Sequence, residues 1–130
     1  MAAGVNVAFG HDCVMDPWYG LGSGDMLEVA HMGLHVAQMT SQQGIRDCFE
    51  AVTTRAAQVM GLQGYGLAPG CDASFVLLQA RDVVEAIRLR AARLKVWKSG
   101  RLLAETAPVL PRLQLPGRPP QVGFLAPGRR

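Results

Sequence analysis

Between residues 9 and 25 the sequence FGHDCVMDPWYGLGSGD brings His11, Asp12, Cys13, Asp16, Trp18 and Tyr19 together around a proline and several glycines. Just upstream, Val5-Asn6-Val7-Ala8-Phe9 is apolar and β-favouring. A carboxylate at the end of a buried strand, here Asp12, can bind a hard or borderline metal ion and accept a proton from water held on it. It can equally serve as the cap of a turn. The indole of Trp18 suits stacking against a flat heterocycle, or packing beneath its own loop. His31 and His35, four apart, share one helix face and could form a metal pair. The zinc-protease pattern, however, needs Glu directly after the first His, and Met32 stands there. Packing or hydrogen bonding is the expected role of both. Cys48 reads as a small buried hydrophobe.

These groups need elements to position them. Residues 4–9 form a short continuous apolar run, which predicts a strand covered on both faces. Glycines and Pro17 predict a loop over 10–24. Asp25 with Glu28 three positions on is a capping-box pattern, opening a helix over DMLEVAHMGLHVAQM. Ile45, Cys48, Phe49, Val52, Ala56 and Val59 at helical spacing predict a second helix over 44–62, ended at Gly61. A strand is expected at 74–78, a helix over 81–94, and a hairpin around Ser99-Gly100. From Pro108 onward Pro and Gly dominate and no regular structure is expected. Residues 1–66 supply no partner for the first strand, so it reads as the last strand of something larger.

The 130 residues suffice for one core, and 49% apolar with 18% charged residues describes globular material. No apolar run is long enough to cross a membrane, and no basic, signal-like start precedes an apolar segment. The expected location is the cytoplasm, with no membrane partner. Three widely spaced cysteines (Cys13, Cys48, Cys71) offer neither a disulfide framework nor a Cys-x-x-Cys metal pattern. The net charge of +3 owes much to Arg112, Arg118, Arg129 and Arg130 in the Pro/Gly-rich tail. Without them the chain is close to neutral, so no nucleic-acid-binding face is expected.

The segment VNVAFGHDCVMDPWYGLGSGDMLEVAHMGLHVAQM resembles the last barrel strand and following helix of bacterial cytosine deaminase-like enzymes, in the metal-dependent amidohydrolase superfamily. Gly-His-Asp, Asp-Pro-Trp-Tyr and His-Met-Gly-Leu-His together carry the likeness. It continues more loosely through AVTTRAAQVMGLQGYGLAPGCDASFVLLQ and VWKSGRLLAET, covering roughly 4–107. The resemblance implies an α/β chain: the last strand and helices of a (β/α)8 TIM-type barrel over 1–66 and part of a small β-sandwich with one helix over 67–107. The tail over 108–130 is unmatched and, from its Pro, Gly and Arg content, expected to be disordered.

The same resemblance implies that Asp12 ligates a catalytic iron or zinc ion and shuttles the proton of the hydrolytic water. Cys13, Met15 and Trp18 would then line the pocket for a small heterocyclic base. The histidines matching His31 and His35 do not hold that family's metal. Cys13 departs from the pattern, since well-known cytosine deaminases place a second aspartate there, and a thiol is a weak hydrogen-bonding partner. The family's His-x-His and His-x-x-Glu motifs are absent, and the chain has three histidines in all. One carboxylate does not hold a divalent ion usefully, so the isolated chain is expected to bind no metal, to be catalytically silent, and to self-associate through exposed apolar surface. A non-catalytic assembly or binding module derived from an amidohydrolase is the alternative.

Overall fold

A computed structural model describes residues 3–120. The order of elements is α1 (Met26–Val36), α2 (Gln42–Ala51), α3 (Thr54–Val59), β1 (Phe75–Leu78), α4 (Val83–Leu89), β2 (Arg93–Lys98) and β3 (Arg101–Glu105). Helix α1 begins where expected. The Asp25 side chain accepts from the backbone N–H of Leu27 and Glu28, satisfying donors that the first turn leaves free. The Glu28 side chain does not complete a capping box; it is bonded by the Ser23 hydroxyl instead.

The strand expected at 4–9 is not formed. A strand needs a neighbour to take its backbone groups, and among the described residues this segment has none. Its one described backbone bond to another element is Phe9 N–H to the Ala51 carbonyl, 3.0 Å. Residues 5–9 therefore have no regular secondary structure, with the Asn6 side chain bonded to the Arg55 carbonyl and Phe9 half-buried against the core.

The helix expected over 44–62 is two helices. Val52-Thr53-Thr54 is a run of β-branched residues, poorly suited to a helix interior. The Thr53 hydroxyl bonds back to the Phe49 carbonyl at 2.7 Å, and Thr53 N–H takes the Glu50 carbonyl at 3.0 Å. Both contacts close the end of α2. Arg55 then spans the break, with ion pairs to Asp47 and Glu50 at 2.9 Å each.

Helix α4 is shorter than the expected 81–94, because Arg90 turns into the left-handed region (φ 47°) and ends it. The hairpin is as expected. Ser99 and Gly100 both have positive φ (48° and 76°), the requirement of the two-residue turn that matches strand twist. The sheet has the order β1-β2-β3, antiparallel throughout. One face carries the Phe75–Trp97 ring pair, with centroids 4.8 Å apart.

Leu27, Ala30 and Leu34 of α1, Cys48 of α2, Ala86 and Ile87 of α4 and Ala91 form the core. The α1 helix can lie close to Phe9 because Gly33 has no side chain: a Cβ there would sit 2.5 Å from the Phe9 ring. In the tail, the Gln79 side chain exchanges two hydrogen bonds with the Val109 backbone, at 2.8 and 2.9 Å. Residues 121–130, the last part of the expected disordered tail, lie outside the described residues.

Candidate functional site

The loop between the 4–9 segment and α1 is folded back on itself. Asp12 has φ 64°, in the left-handed region that Asp tolerates better than most residues. Cys13 N–H bonds the His11 carbonyl at 2.9 Å, closing a γ-turn centred on Asp12. The His11 ring grips the same turn from the other side. Its Nδ1 lies 2.8 Å from the Cys13 carbonyl, and its Nε2 accepts from Gly24 N–H at 3.1 Å. A carbonyl can only accept and an amide N–H can only donate, so Nδ1 carries the proton and Nε2 is the acceptor.

Gly22 lies where the loop crosses itself. A Cβ at that position would meet the Cys13 carbonyl oxygen at 2.2 Å and His11 Cε1 at 2.8 Å. Because the first of these is backbone, the clash cannot be relieved by a rotamer change. Gly22→Ala is expected to lower stability by about 1–3 kcal/mol, measured by urea denaturation with Gly20→Ala, which meets open space, as the control.

Downstream, Asp16 organises the aromatic pair. Its Oδ1 accepts from the backbone N–H of both Trp18 and Tyr19 at 3.0 Å, a local turn that Asp-Pro sequences favour. The Cys13 thiol and these amides hold the Asp16 carboxyl below its usual range. In return, the Asp16 carboxylate, helped by that of Asp12, pushes the Cys13 thiol up, so it stays a neutral thiol at neutral pH.

The four residues proposed from sequence for the site all lie on this loop. Asp12, Met15 and Trp18 are exposed and Cys13 is half-buried. Trp18 is 86% exposed, so within this chain the indole is not packed beneath its own loop. Two shallow hollows flank the neighbouring surface. One is lined by residues including Asn6, Glu50 and Arg55, the other by residues including Phe9, Val29 and Met32. Neither touches the 12–18 stretch. His31 and His35 pack ring edge to face at 4.7 Å, as packing residues would. Burial and the charge of His35 lower the pKa of His31. Among the described residues no three His, Cys, Asp or Glu side chains converge as a metal-holding group. The residues present do not by themselves fit a metal ion.

Spacing alone assigned no role to His11, Asp16 or Gly22; each acts through contacts with backbone elsewhere in the loop. The base of the loop is tied to the sheet by Asp25, which pairs with Arg93 of β2. Partial burial works against charge on Asp25, but Arg93 and the Leu27 and Glu28 amides outweigh it and hold its carboxyl below the usual range. A carboxylate of lowered pKa stabilises the fold above its unfolded value, about 3.9, and loses that contribution as pH falls through the folded value. Thermal stability should therefore fall on acidification below about pH 4, and Asp25→Asn should be less stable at pH 7 while showing a shallower acid limb.

Comparison with known proteins gives a consistent picture. Residues 1–104 match the model of the amidohydrolase family. N-isopropylammelide isopropyl amidohydrolase of Pseudomonas sp. (strain ADP) is 28% identical over 106 residues, covering 81% of this chain and 26% of that protein. The structure of 5-methylcytosine deaminase from Klebsiella pneumoniae liganded with phosphonocytosine superposes with a TM-score of 0.79 at 34% identity, over 84% of this chain and 27% of that one. N-isopropylammelide isopropylaminohydrolase from Burkholderia multivorans gives 0.77 at 38% identity, over 80% and 27%. This chain thus spans about a quarter of the length of these relatives. The expected likeness to the C-terminal portion of cytosine deaminase-like enzymes stands, and with four-fifths of its length matched, the chain belongs to the amidohydrolase family.

Proposed function

We propose that this chain forms the last strand-end loop and following elements of a metal-dependent hydrolase that removes an amino or alkylamino group from a small nitrogen heterocycle, releasing ammonia or an amine. Members of the amidohydrolase family are generally metal-dependent. In this reading Asp12 is one donor to an iron or zinc ion, and the other donors lie in the three-quarters of the relatives' length that this chain does not span. The bound metal would supply hydroxide near neutral pH. The barrel itself, completed by that missing length, belongs to the same proposal.

The observation that carries the reading is the exposure of Asp12, Met15 and Trp18 on one closed loop, with Cys13 half-buried beside Asp12 and the indole face open. An uncovered Trp suits a flat ring. A neutral thiol at Cys13 is a poor partner for a strongly polar ring edge, so a cytosine relative or a triazine is as suitable as cytosine. The free thiols of Cys13, Cys48 and Cys71 accord with a reducing cytoplasm as the place of action.

The test is a chimera in which residues 4–107 replace the matching segment of the Klebsiella deaminase. Ammonia or amine release from a panel of aminopyrimidines and alkylamino-triazines is expected from the chimera and not from the 130-residue chain alone. A folded chimera that releases neither overturns the reading.

The chain alone leaves Met32 and Val36 at least half exposed at the apolar hollow beside Phe9, and Val5 at least half exposed at the hollow lined by Asn6 and Arg55. Self-association is the expected outcome, seen as species heavier than a monomer in sedimentation velocity at micromolar concentration. A monodisperse monomer with a cooperative melt would count against it. A defined oligomer inactive in the chimera would favour the assembly-module alternative.

A further inference from the structure

We propose that His11, locked as its Nδ1–H tautomer, is the positioning residue for Asp12: it holds the strained turn that presents Asp12 and Cys13 together. Its catalytic meaning rests on the function proposed above; its structural content does not.

The turn at Asp12 needs holding. A γ-turn with positive φ at its centre is the rare and strained form, and such geometry persists only where the surroundings over-determine it. His11 supplies that determination twice over. Its carbonyl accepts from Cys13 N–H at 2.9 Å, and its ring Nδ1–H donates to the Cys13 carbonyl at 2.8 Å. Asp12 is thereby bracketed between two bonds linking its neighbours. The second ring nitrogen reaches across the loop to Gly24 N–H, the residue before the Asp25 cap. One imidazole thus joins the turn to the start of α1, and α1 is joined to the sheet through Asp25 and Arg93. Gly22, whose missing Cβ lets the Cys13 carbonyl and the ring pack against it, completes the closure.

Only one tautomer serves. With the proton on Nε2, the Cys13 carbonyl loses its donor and Gly24 N–H faces a second donor. A ring that merely filled space would have no such preference.

Two measurements on the full 130-residue chain test this. Ring ¹⁵N shifts of the wild type, in solution or in the solid state if the chain associates, should report Nδ1–H with a bare Nε2. An Nε2–H ring, or one averaging between tautomers, overturns the proposal. Residue-resolved hydrogen exchange then separates the two anchors. His11→Ala should speed exchange at both Cys13 and Gly24 about tenfold, the scale of one lost hydrogen bond. His11→Asn, whose amide can still donate to the Cys13 carbonyl, should keep Cys13 slow and release Gly24. Amides of Ala30 and Cys48 serve as fold controls; if His11→Ala loses them, the asparagine variant and the tautomer decide. Unchanged exchange at Gly24 in His11→Asn overturns the proposal. Should both measurements agree with it while the chimera proves inactive, the positioning role stands and the functional reading falls.

Discussion

Asp12→Asn in the active chimera is expected to lower turnover by at least about a hundred- to ten-thousandfold, the range commonly lost with a positioned acid–base group. Asparagine is the informative replacement here. Asp12 occupies φ 64°, a conformation that Asn adopts as readily as Asp. Alanine at the same point adds about 1–2 kcal/mol of backbone strain, so a loss of activity there would mix misfolding with chemistry. The Asn variant keeps shape and backbone and removes the negative charge. Steady-state ammonia release, with circular dichroism and metal content measured on the same preparation, separates these contributions. Near-normal turnover would remove Asp12 from the reaction.

Ile87→Ala is expected to cost about 2–5 kcal/mol, enough to unfold much of a chain whose whole stability falls in the usual range of about 5–15 kcal/mol. Ile87 is 1% exposed and touches the core from α4. The other hydrophobic residues less than 2% exposed are small: Ala30, Cys48 and Ala51. Leu27 and Leu34 are the large members of the same core, and their relaxation fills only part of the space that an isoleucine leaves. Leu103→Ala, at 59% exposure on β3, is the contrasting case and should shift stability by no more than about 0.5 kcal/mol. Urea midpoints for the two variants check the pair. Equal effects would mean that the core lies elsewhere.

Much of the local structure was legible because its causes are local. Asp25 caps α1 through amides two and three residues away, and Ser99-Gly100 forms its turn from its own φ angles. The Gly-His-Asp and Asp-Pro-Trp-Tyr runs pointed to the family through residue identity alone, and the matched residues 1–104 bear that out.

Other features depended on partners that spacing does not disclose. Residues 4–9 have the composition of a strand, but a strand exists only when another backbone takes its hydrogen bonds, and α2 offers just one carbonyl, that of Ala51. The long amphipathic stretch over 44–62 kept its period while Thr53 turned its hydroxyl back on Phe49 and split it. His11 looked like one of several reactive side chains; its ring found its partners at Cys13 and Gly24 only once the loop had closed over Gly22. By itself the sequence determined the caps, the hairpin turn and the family, since each rests on neighbouring residues or on identity. Tertiary structure decided the missing strand, the broken helix and the tautomer of His11, because hydrogen-bond satisfaction is settled by whichever groups the whole chain brings within reach.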